Sequence, residues 1–298
     1  MNKIKDSFLI QDLETLSGIK AHTIRIWEKR YNLLNPERLN RNIRKYSLTD
    51  LQKLLNVSIL YSNGYKISKL SLLSDEELHE TARKISLESV ASNYNVNTLI
   101  LAMYAFDGDQ FDKVYNELSE SMGFEELFVK VYIPLLDHIG VLWQTDAIKP
   151  AHEHFISNLI IGKIVLNTAE ISSVTSEDTT TYVLYLPVGE LHSLGLLFLN
   201  YCLKKRGKKT VYLGGGIPFS NLQTLNTKFP SIKWICSFVV ERTREEKEAF
   251  LFEYVDFLKK SDSSSLIVGR VMEEVSGKEE FKERITFFNS FKELPFFE

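Results

Sequence analysis

Two short helices are predicted at the start of the chain from the spacing of its apolar residues. Residues 9–16 place leucine and isoleucine at helical intervals, and Gly18 ends this first helix. Ile24 and Trp27 stand three positions apart and form the buried face of a second helix over residues 21–30. The pair predicts a helix-turn-helix motif whose second helix enters a major groove. The outward-facing polar residues of that helix are Lys20, His22, Thr23 and Arg25.

A basic two-stranded wing and a third helix are predicted next. Pro36 ends the preceding segment, and Asn42 tolerates the left-handed conformation that a hairpin turn needs. Ser47, with Asp50 three residues later, has the form of a helix start, and leucines follow it at helical spacing. The cations around the turn are Arg38, Arg41, Arg44 and Lys45.

The middle of the chain, residues 76–171, is predicted to be almost wholly helical. Amphipathic segments follow one another with short polar breaks, which predicts four helices in an antiparallel bundle. Pro134 falls inside the third segment and should kink or break it. Pro150 suits the first position of the fourth helix.

Three residues of this bundle form a candidate site. Trp143 ends the third helix, and Glu153 and His154 lie in the first turn of the fourth. Adjacent helix ends would bring an indole, a carboxylate and an imidazole to one mouth of the bundle. The alternative is structural: Trp143 packs in the core, and Glu153 is a first-turn acid that the helix dipole favours.

Strand and helix patterns alternate in the last third of the chain. This alternation predicts a doubly wound parallel sheet of flavodoxin-like (Rossmann-like) α/β topology, in which ligands bind beyond the carboxyl ends of the strands. The strand segments are 182–186, 210–213, 232–240, 266–268 and 285–288, and helices are predicted over 196–203 and 245–260.

The loop after the first of these strands contains a candidate metal ligand. His192 would lie at the ligand-facing edge of the sheet, where an imidazole nitrogen can bind a metal. Glu190, two residues earlier, is placed to accept a hydrogen bond from the far ring nitrogen and so to orient the ring. Gly195 leaves space for a bulky ligand. Because so short a pattern occurs by chance, its position after the first strand gives it most of its weight.

Charge is distributed unevenly along the chain. The 298 residues are 44% hydrophobic and carry a net charge of -3, which allows two or three domains with hydrophobic cores. Residues 1–70 contain 13 Lys and Arg against 6 Asp and Glu, whereas the remainder contains 23 against 33. A basic head on an acidic body indicates contact with a polyanion; a chance cluster on a solvated surface is the alternative.

Membrane insertion and disulfide pairing are not predicted. No stretch reaches the roughly 18–20 apolar residues that span a bilayer, and the polar N-terminus lacks the apolar core of a signal peptide. Cys202 and Cys236 lie in apolar segments without ligand spacing and are predicted to be reduced core residues. The sequence therefore predicts a cytoplasmic protein, and no catalytic residues are assigned.

The head resembles the MerR family of transcriptional regulators. Residues 23–31 contain the Trp-Glu-x-Arg-Tyr motif of one subgroup, and Arg44-Lys45-Tyr46 follows in the wing. Asn42 stands where the family usually has glycine, for which asparagine is a mild replacement. The resemblance implies a dimer on a pseudo-palindromic operator of double-stranded DNA.

The resemblance also assigns roles within the head. Its cations would mostly hold phosphates, and His22 and Thr23 are better placed for base edges. Trp27 and Tyr46 also suit core packing, because large aromatic residues dominate small cores. The predicted DNA-binding residues are Lys20, His22, Thr23, Arg25, Arg30, Arg41, Arg44, Lys45 and Tyr46.

The loop at His192 resembles the Asp-or-Glu-x-His-x-x-Gly signature of cobalamin-binding domains. In this family a protein histidine replaces the cofactor's own base. The resemblance implies that His192 is the lower axial cobalt ligand, Glu190 its orienting partner, and Gly195 the clearance for the corrin and its nucleotide tail. Residues 214–216 fit the family's second strand-to-helix turn, and Ser237 suits a position near the third strand.

The helical middle resembles the cap of light-sensing cobalamin repressors of the CarA and CarH type. In that family a tryptophan covers the upper axial group and a Glu-His pair contacts the adenosyl moiety, roles that fall here on Trp143, Glu153 and His154. The predicted cofactor-binding residues are Trp143, Glu153, His154, Glu190, His192, Gly195, Gly214, Gly215, Ser237 and Gly269, with His192 as the metal ligand.

Two positions depart from that family. Gln144 stands where a histidine binds cobalt after light expels the adenosyl group, and His152 or His154 is a possible substitute. Gly269-Arg270 replaces a Gly-Gly pair, so that the arginine would obstruct the tail channel or bind the tail's phosphate. Light dependence therefore stays open at this stage.

Together these features predict a DNA-binding regulator whose operator binding is controlled by a corrinoid, adenosylcobalamin, held between helical cap and α/β domain. The predicted domains are a winged helix-turn-helix (1–75), a four-helix-bundle cap (76–174) and a cobalamin-binding α/β domain (175–298), in a homodimer or homotetramer. One alternative is a regulator with a degenerate, cofactor-free sensor used for protein contacts. Another is a corrinoid methyl-carrier protein.

Overall fold

The chain folds into two compact units, residues 1–159 and residues 160–298. The wing-turn residues Arg41 and Asn42 lie outside the described residues, as do most of the residues between 172 and 179 and the side chain of Gln144. The computed structural model describes residues 7–40, 43–87, 93–144, 147–172, 179–277 and 279–296.

The first unit is helical apart from a two-stranded antiparallel wing. The last of its helices continues past residue 159 into the second unit. Its elements are α1 (Ile10–Ser17), α2 (Ala21–Tyr31), β1 (Glu37–Asn40), β2 (Ile43–Lys45), α3 (Leu48–Ser62), α4 (Ile67–Leu70), α5 (Asp75–Leu87), α6 (Asn93–Ala105), α7 (Gly108–Ser119), α8 (Phe124–Leu127), α9 (Ile133–Gln144) and α10 (Pro150–Ala169).

Local sequence signals set the ends of the first helices as predicted. Gly18 takes a left-handed φ of 70° after α1, a conformation that glycine adopts without steric penalty. At the start of α3 the Asp50 amide donates to the Ser47 hydroxyl at 3.1 Å, and the Ser47 amide donates to the Asp50 carboxylate at 2.9 Å. This reciprocal pair is a capping box, which satisfies two amide groups that the helix leaves unpaired.

The head and the helical middle of the first unit share one core. Helix α3 packs against α1, α5 and α6. The ring of Phe8 meets Tyr104 of α6 edge-on, with ring centroids 4.8 Å apart. Both rings are almost fully buried, so the head does not stand apart from the helices that follow it.

Pro134 does not end its helix. A π-helical turn over Phe128–Tyr132 comes directly before α9, and the helical conformation continues through residue 144. Proline has no amide hydrogen and its ring clashes with the preceding turn, so a widened turn accommodates it. The sequence therefore located the irregularity correctly, although the helix is not broken.

The second unit is a five-stranded parallel sheet with the strand order β4-β3-β5-β6-β7. The first strand of the unit lies second in the sheet, and helices connect the strands, which is the predicted flavodoxin-like topology. Its elements are β3 (Thr181–Tyr185), α11 (Leu194–Lys205), β4 (Lys209–Gly214), α12 (Phe219–Asn226), β5 (Ile232–Ser237), α13 (Arg244–Lys260), β6 (Ser264–Val268), α14 (Glu273–Ser276), α15 (Glu279–Lys282) and β7 (Ile285–Phe288).

Alternate strand residues of this sheet serve two separate cores. Trp234 and Cys236 of β5 face the core that contains α13, whereas Ile235 faces the core formed with α11. Both predicted core cysteines are buried and form no disulfide within the described residues, and burial raises the pKa of Cys236 to about 12. In the ranges covered by the structure, no helix is long and apolar enough to cross a membrane.

Candidate functional site

Helix α2 buries one face and exposes its basic face, as the helix-turn-helix prediction requires. Ile24 and Trp27 are 1% and 5% exposed. His22 and Arg25 point to solvent, and Lys20 is paired with Glu14 at 3.2 Å while its side chain stays largely exposed. A row of exposed cations on one helix is the electrostatic feature that phosphate groups bind.

Glu28 of α2 connects this helix to the wing. The Arg44 Nε donates to one carboxylate oxygen of Glu28 at 3.0 Å, and the Tyr46 hydroxyl donates to the other at 3.1 Å. A guanidinium nitrogen of Arg38 lies 3.8 Å from the same carboxylate. Glu28 is not among the residues predicted from the sequence, although it is the second residue of the Trp-Glu-x-Arg-Tyr motif. Its role is to fix the orientation of the wing relative to α2.

Tyr46 is not available to DNA. Its side chain is fully buried, and burial raises the pKa of its hydroxyl. The predicted DNA contact through Tyr46 is therefore wrong, and the core-packing alternative is correct. Arg44 donates a hydrogen bond to Glu28, which raises the pKa of its guanidinium, so it orients the wing whether or not it also meets a phosphate.

The candidate residues at the end of the helical middle are partly exposed. Trp143 is 40% exposed, so the alternative that buries it in the core is wrong. Glu153 accepts a hydrogen bond from the Ser157 hydroxyl at 3.1 Å, one turn along α10. His154 is mostly exposed, with its Nε2 3.9 Å from the Glu153 carboxylate. These side chains are accessible to a ligand.

His152 has a structural role at the start of α10. It is 1% exposed and stacks on Phe106 with ring centroids 4.9 Å apart. Its Nδ1 accepts the Lys149 amide at 3.1 Å, which satisfies an amide group just before the first turn. His152 is therefore excluded as a substitute upper cobalt ligand, whereas His154 stays a prediction.

In the second unit, His192 lies exposed in the loop between β3 and α11, at the carboxyl edge of the sheet. This edge, next to the point where the strand order reverses, is where doubly wound sheets bind ligands. The loops after β3 and β5 at this edge also expose apolar side chains, which suits a broad apolar ligand. The exposed apolar residues of the loops after β3 and β5 are Val188, Leu191, Val239 and Val240.

The Glu190 carboxylate has other partners than the one predicted. It is 1% exposed and accepts the amide hydrogens of Val239 and Val240, both at 3.3 Å. These amides belong to the segment after β5, which explains why that strand ends at residue 237 and not at 240. Glu190 is therefore not the orienting partner of His192 in this structure. It joins the loop after β3 to the loop after β5.

Arg242 completes this connection between the two loops. Its Nη2 donates to the Val188 carbonyl at 2.9 Å and lies 3.7 Å from the Glu190 carboxylate. Its guanidinium also lies 5.4 Å from the centre of the Phe238 ring. No motif marked Arg242 in the sequence; the signal available was that a buried Glu190 requires a cation.

Replacing Arg242 with methionine should destabilise the second unit by about 2 kcal/mol, because the buried Glu190 carboxylate would lose its cation. Urea denaturation measures the change. Arg244→Met serves as the control, since Arg244 pairs with Glu248 at 2.9 Å in an exposed i,i+4 pair that should contribute little to stability. Equal losses in the two variants would show that Arg242 does not hold the loops.

The predicted glycines pack the loops against one another. Gly214 has a φ of 77°, and its carbonyl accepts the Leu186 amide at 2.8 Å. A Cβ on Gly215 would lie 3.5 Å from the Glu190 carbonyl, an ordinary contact. A Cβ on Gly269 would lie 2.2 Å from the Phe238 carbonyl, so this glycine allows two loops to meet and does not clear a path for a ligand. That corrects the role predicted for Gly269.

The space beside Gly195 is occupied by the chain itself. A Cβ on Gly195 would lie 2.3 Å from Cε2 of Phe291, whose ring covers the glycine. The predicted clearance therefore exists only if Phe291 moves. Ser237 is 2% exposed, and its hydroxyl has no hydrogen-bond partner among the described residues. Arg270 is exposed, so it does not fill the interior of this face.

These residues fit a corrinoid where its corrin ring would lie. The exposed His192 offers a nitrogen ligand for a cobalt, and the loop valines offer an apolar surface. On the side of Gly195 the fit requires displacement of Phe291.

Family models match the head and the helical middle of the chain. Residues 8–77 match the MerR HTH family regulatory protein family, and residues 96–165 match the B12 binding domain family. The HTH-type transcriptional repressor CarH of Myxococcus xanthus is 24% identical over 215 residues, which cover 70% of each chain. CarA of the same organism, also an HTH-type transcriptional repressor, is 25% identical over 239 residues, covering 80% of this chain and 78% of CarA.

A solved structure shares the fold. The monomethylamine corrinoid protein of Methanosarcina barkeri aligns with a TM-score of 0.50 and 14% identity, covering 62% of this chain and 94% of that protein. At this identity the likeness shows the fold alone. Over most of its length the chain is homologous to the CarH and CarA repressors, with a MerR HTH segment followed by a B12 binding domain match.

Proposed function

We propose that this protein is a DNA-binding transcriptional regulator, and not an enzyme, whose operator binding is controlled by cobalamin. The observation that carries the proposal is an exposed His192 at the ligand-binding edge of a flavodoxin-like sheet, on the same chain as a MerR HTH segment. A binding edge without a helix-turn-helix would suit a carrier protein. With a helix-turn-helix on the same chain, ligand binding can control DNA binding.

The DNA-binding part of the proposal rests on the basic face of α2 and on the wing. Exposed cations on α2 would hold phosphates, while His22 and Thr23 reach base edges. Glu28 fixes the wing through Arg44 and Tyr46, so both elements would meet DNA as one surface. The protein would bind a pseudo-palindromic operator as a homodimer or a higher oligomer, because one helix-turn-helix reads only one half-site.

The cofactor part of the proposal rests on the second unit. His192 would bind the cobalt from below, the loop valines would contact the corrin, and Glu190 with Arg242 would hold the loop that carries the histidine. Bound adenosylcobalamin, the form we propose, would supply a cobalt whose upper ligand can be lost. Residues 1–75, 76–174 and 175–298 would serve as operator-binding, cap and corrinoid domains, with Trp143, Glu153 and His154 as the cofactor-binding residues of the cap.

The competing function with a specific observation in its favour is a regulator without cofactor. Phe291 fills the space beside Gly195, which a corrinoid with a nucleotide tail would need. In that case the exposed apolar loops after β3 and β5 would contact a protein. Retention of corrinoid colour through gel filtration separates the two functions.

Operator binding in the dark should change with adenosylcobalamin. We expect the apparent affinity for an operator fragment to shift by about 10-fold to 100-fold on adding the cofactor, because a ligand moves a two-state equilibrium by its differential affinity. Gel-shift titrations with and without cofactor, in dark and after illumination, measure the shift, and gel filtration reports the oligomeric state. Unchanged affinity under all conditions, with cofactor bound, would refute control by cobalamin.

A further inference from the structure

We propose that residues 289–296, the C-terminal segment, select among corrinoids by occupying the groove that a nucleotide tail would enter. This inference rests on the proposed function, since it assumes that His192 binds a corrinoid. The C-terminal segment follows β7 and contains a single 3₁₀ turn over Phe291–Glu293. It would admit tail-less corrinoids freely and those with a tail only after moving aside.

Phe291 is the residue that closes the groove. Three atoms of its ring, Cε2, Cζ and Cδ2, would lie 2.3, 2.9 and 3.0 Å from a Cβ on Gly195. Real Cβ atoms almost never come so close to a carbon, so the ring takes up the space that the missing side chain leaves. Gly195 lies in the first turn of α11, three residues after His192, so the space that Phe291 occupies is close in sequence to the proposed cobalt ligand.

Two polar groups are buried on the same side of the sheet as α11 and Phe291. The Ser237 hydroxyl and the Asn200 Oδ1 are buried and have no hydrogen-bond partner within the described ranges. Ser237 stands two positions after Ile235, on the sheet face that packs against α11, and Asn200 stands one turn after Leu196 on that helix. Unpaired buried polar atoms in an apolar groove indicate a ligand that brings both apolar and polar groups.

The C-terminal segment is held against the core by apolar packing. Phe291 is half-buried and Leu294 is fully buried, and both pack on the core formed with α11. The Asn289 amide donates to the Glu293 carboxylate at 2.9 Å, an exposed bond within the segment. Displacement of the segment therefore exposes Phe291, Leu294 and Phe296, which all pack on that core. The apparent affinity for a tailed corrinoid is its intrinsic affinity multiplied by the fraction of molecules in the open state.

The test compares adenosylcobalamin with adenosylcobinamide, which lacks the nucleotide tail. Phe291→Ala should tighten binding of adenosylcobalamin about tenfold and change that of adenosylcobinamide by less than about twofold. Phe252→Ala is the matched control, because Phe252 is a half-exposed phenylalanine of the second unit that lies outside the C-terminal segment, on α13, and packs on Phe281 with ring centroids 5.1 Å apart. This control should leave the affinities for both corrinoids unchanged.

A second measurement needs no variant. Lys292 is exposed within the C-terminal segment, so trypsin cleavage after it reports displacement. In the full-length wild-type protein, adenosylcobalamin should speed this cleavage about tenfold, and adenosylcobinamide should not. If both corrinoids bind but neither the affinity ratio nor the cleavage changes, the C-terminal segment does not select. If neither corrinoid binds to any variant, the proposed cobalamin function fails, and this inference with it.

Discussion

His192→Ala should weaken cobalamin binding by at least about 100-fold. The imidazole is exposed at the rim of the sheet and would be the protein's axial ligand for cobalt. Even the residues that only support a metal ligand contribute about 10-fold to 100-fold to affinity, so the loss of the ligand itself should reach or exceed that range. Absorption titration of adenosylcobalamin in the dark measures the change, because loss of the axial nitrogen alters the cobalt spectrum.

His22→Ala is the control for this substitution. His22 is also an exposed histidine, but it lies on the recognition helix of the first unit. We expect it to leave cobalamin affinity unchanged and to weaken operator binding, whereas His192→Ala should leave basal DNA binding in the absence of cofactor unchanged. If His192→Ala retained wild-type cobalamin affinity, the axial role would be disproved while the DNA-binding function would stand.

Much of the fold was predictable because its signals are local. The spacing of Ile24 and Trp27 set the buried face of α2, and Ser47 with Asp50 set the start of α3. The alternation of strands and helices predicted the parallel sheet and placed His192 at its carboxyl edge. Each of these inferences depends on residues within a few positions of one another, where geometry is nearly fixed by the backbone.

The errors concern contacts between residues far apart in the sequence. Glu190 was expected to bond a neighbour two positions away, yet its donors are the amides of Val239 and Val240. A buried carboxylate takes the donors that the tertiary fold brings to it, and a short motif does not specify them. The contact of Phe291 with Gly195 was not predicted for the same reason. A glycine in a sequence indicates space but not which residue occupies it.

The site residues show the same difference between local signals and contacts with distant segments. His192 and the cations of α2 were found from residue type and position on an element. Glu28 and Arg242 were not, because each acts by pairing with groups on other segments. Glu28 holds the wing, and Arg242 holds the loop that carries His192. The residues that the sequence did not reveal therefore position the functional residues that it did reveal.

Glu28→Ala should lower operator affinity about 100-fold and destabilise the protein by about 2 kcal/mol. The Glu28 side chain is 10% exposed and accepts from both Arg44 and the fully buried Tyr46. Removing it leaves a buried hydroxyl without its acceptor, which costs about 1–3 kcal/mol. It also frees the wing from α2, so that DNA binding must order the wing again. Gel shifts and thermal denaturation measure the two effects.

The direction of the change in DNA affinity shows whether Glu28 positions the wing or acts only through its negative charge. Removing any acid near a phosphate backbone should strengthen DNA binding, because it removes a repulsion. Glu37→Ala provides that reference, since Glu37 is an exposed acid on β1 of the same wing. We expect Glu37→Ala to bind DNA slightly more tightly and Glu28→Ala to bind it much more weakly. Tighter binding by both variants would mean that Glu28 acts only as a negative charge and does not hold the wing.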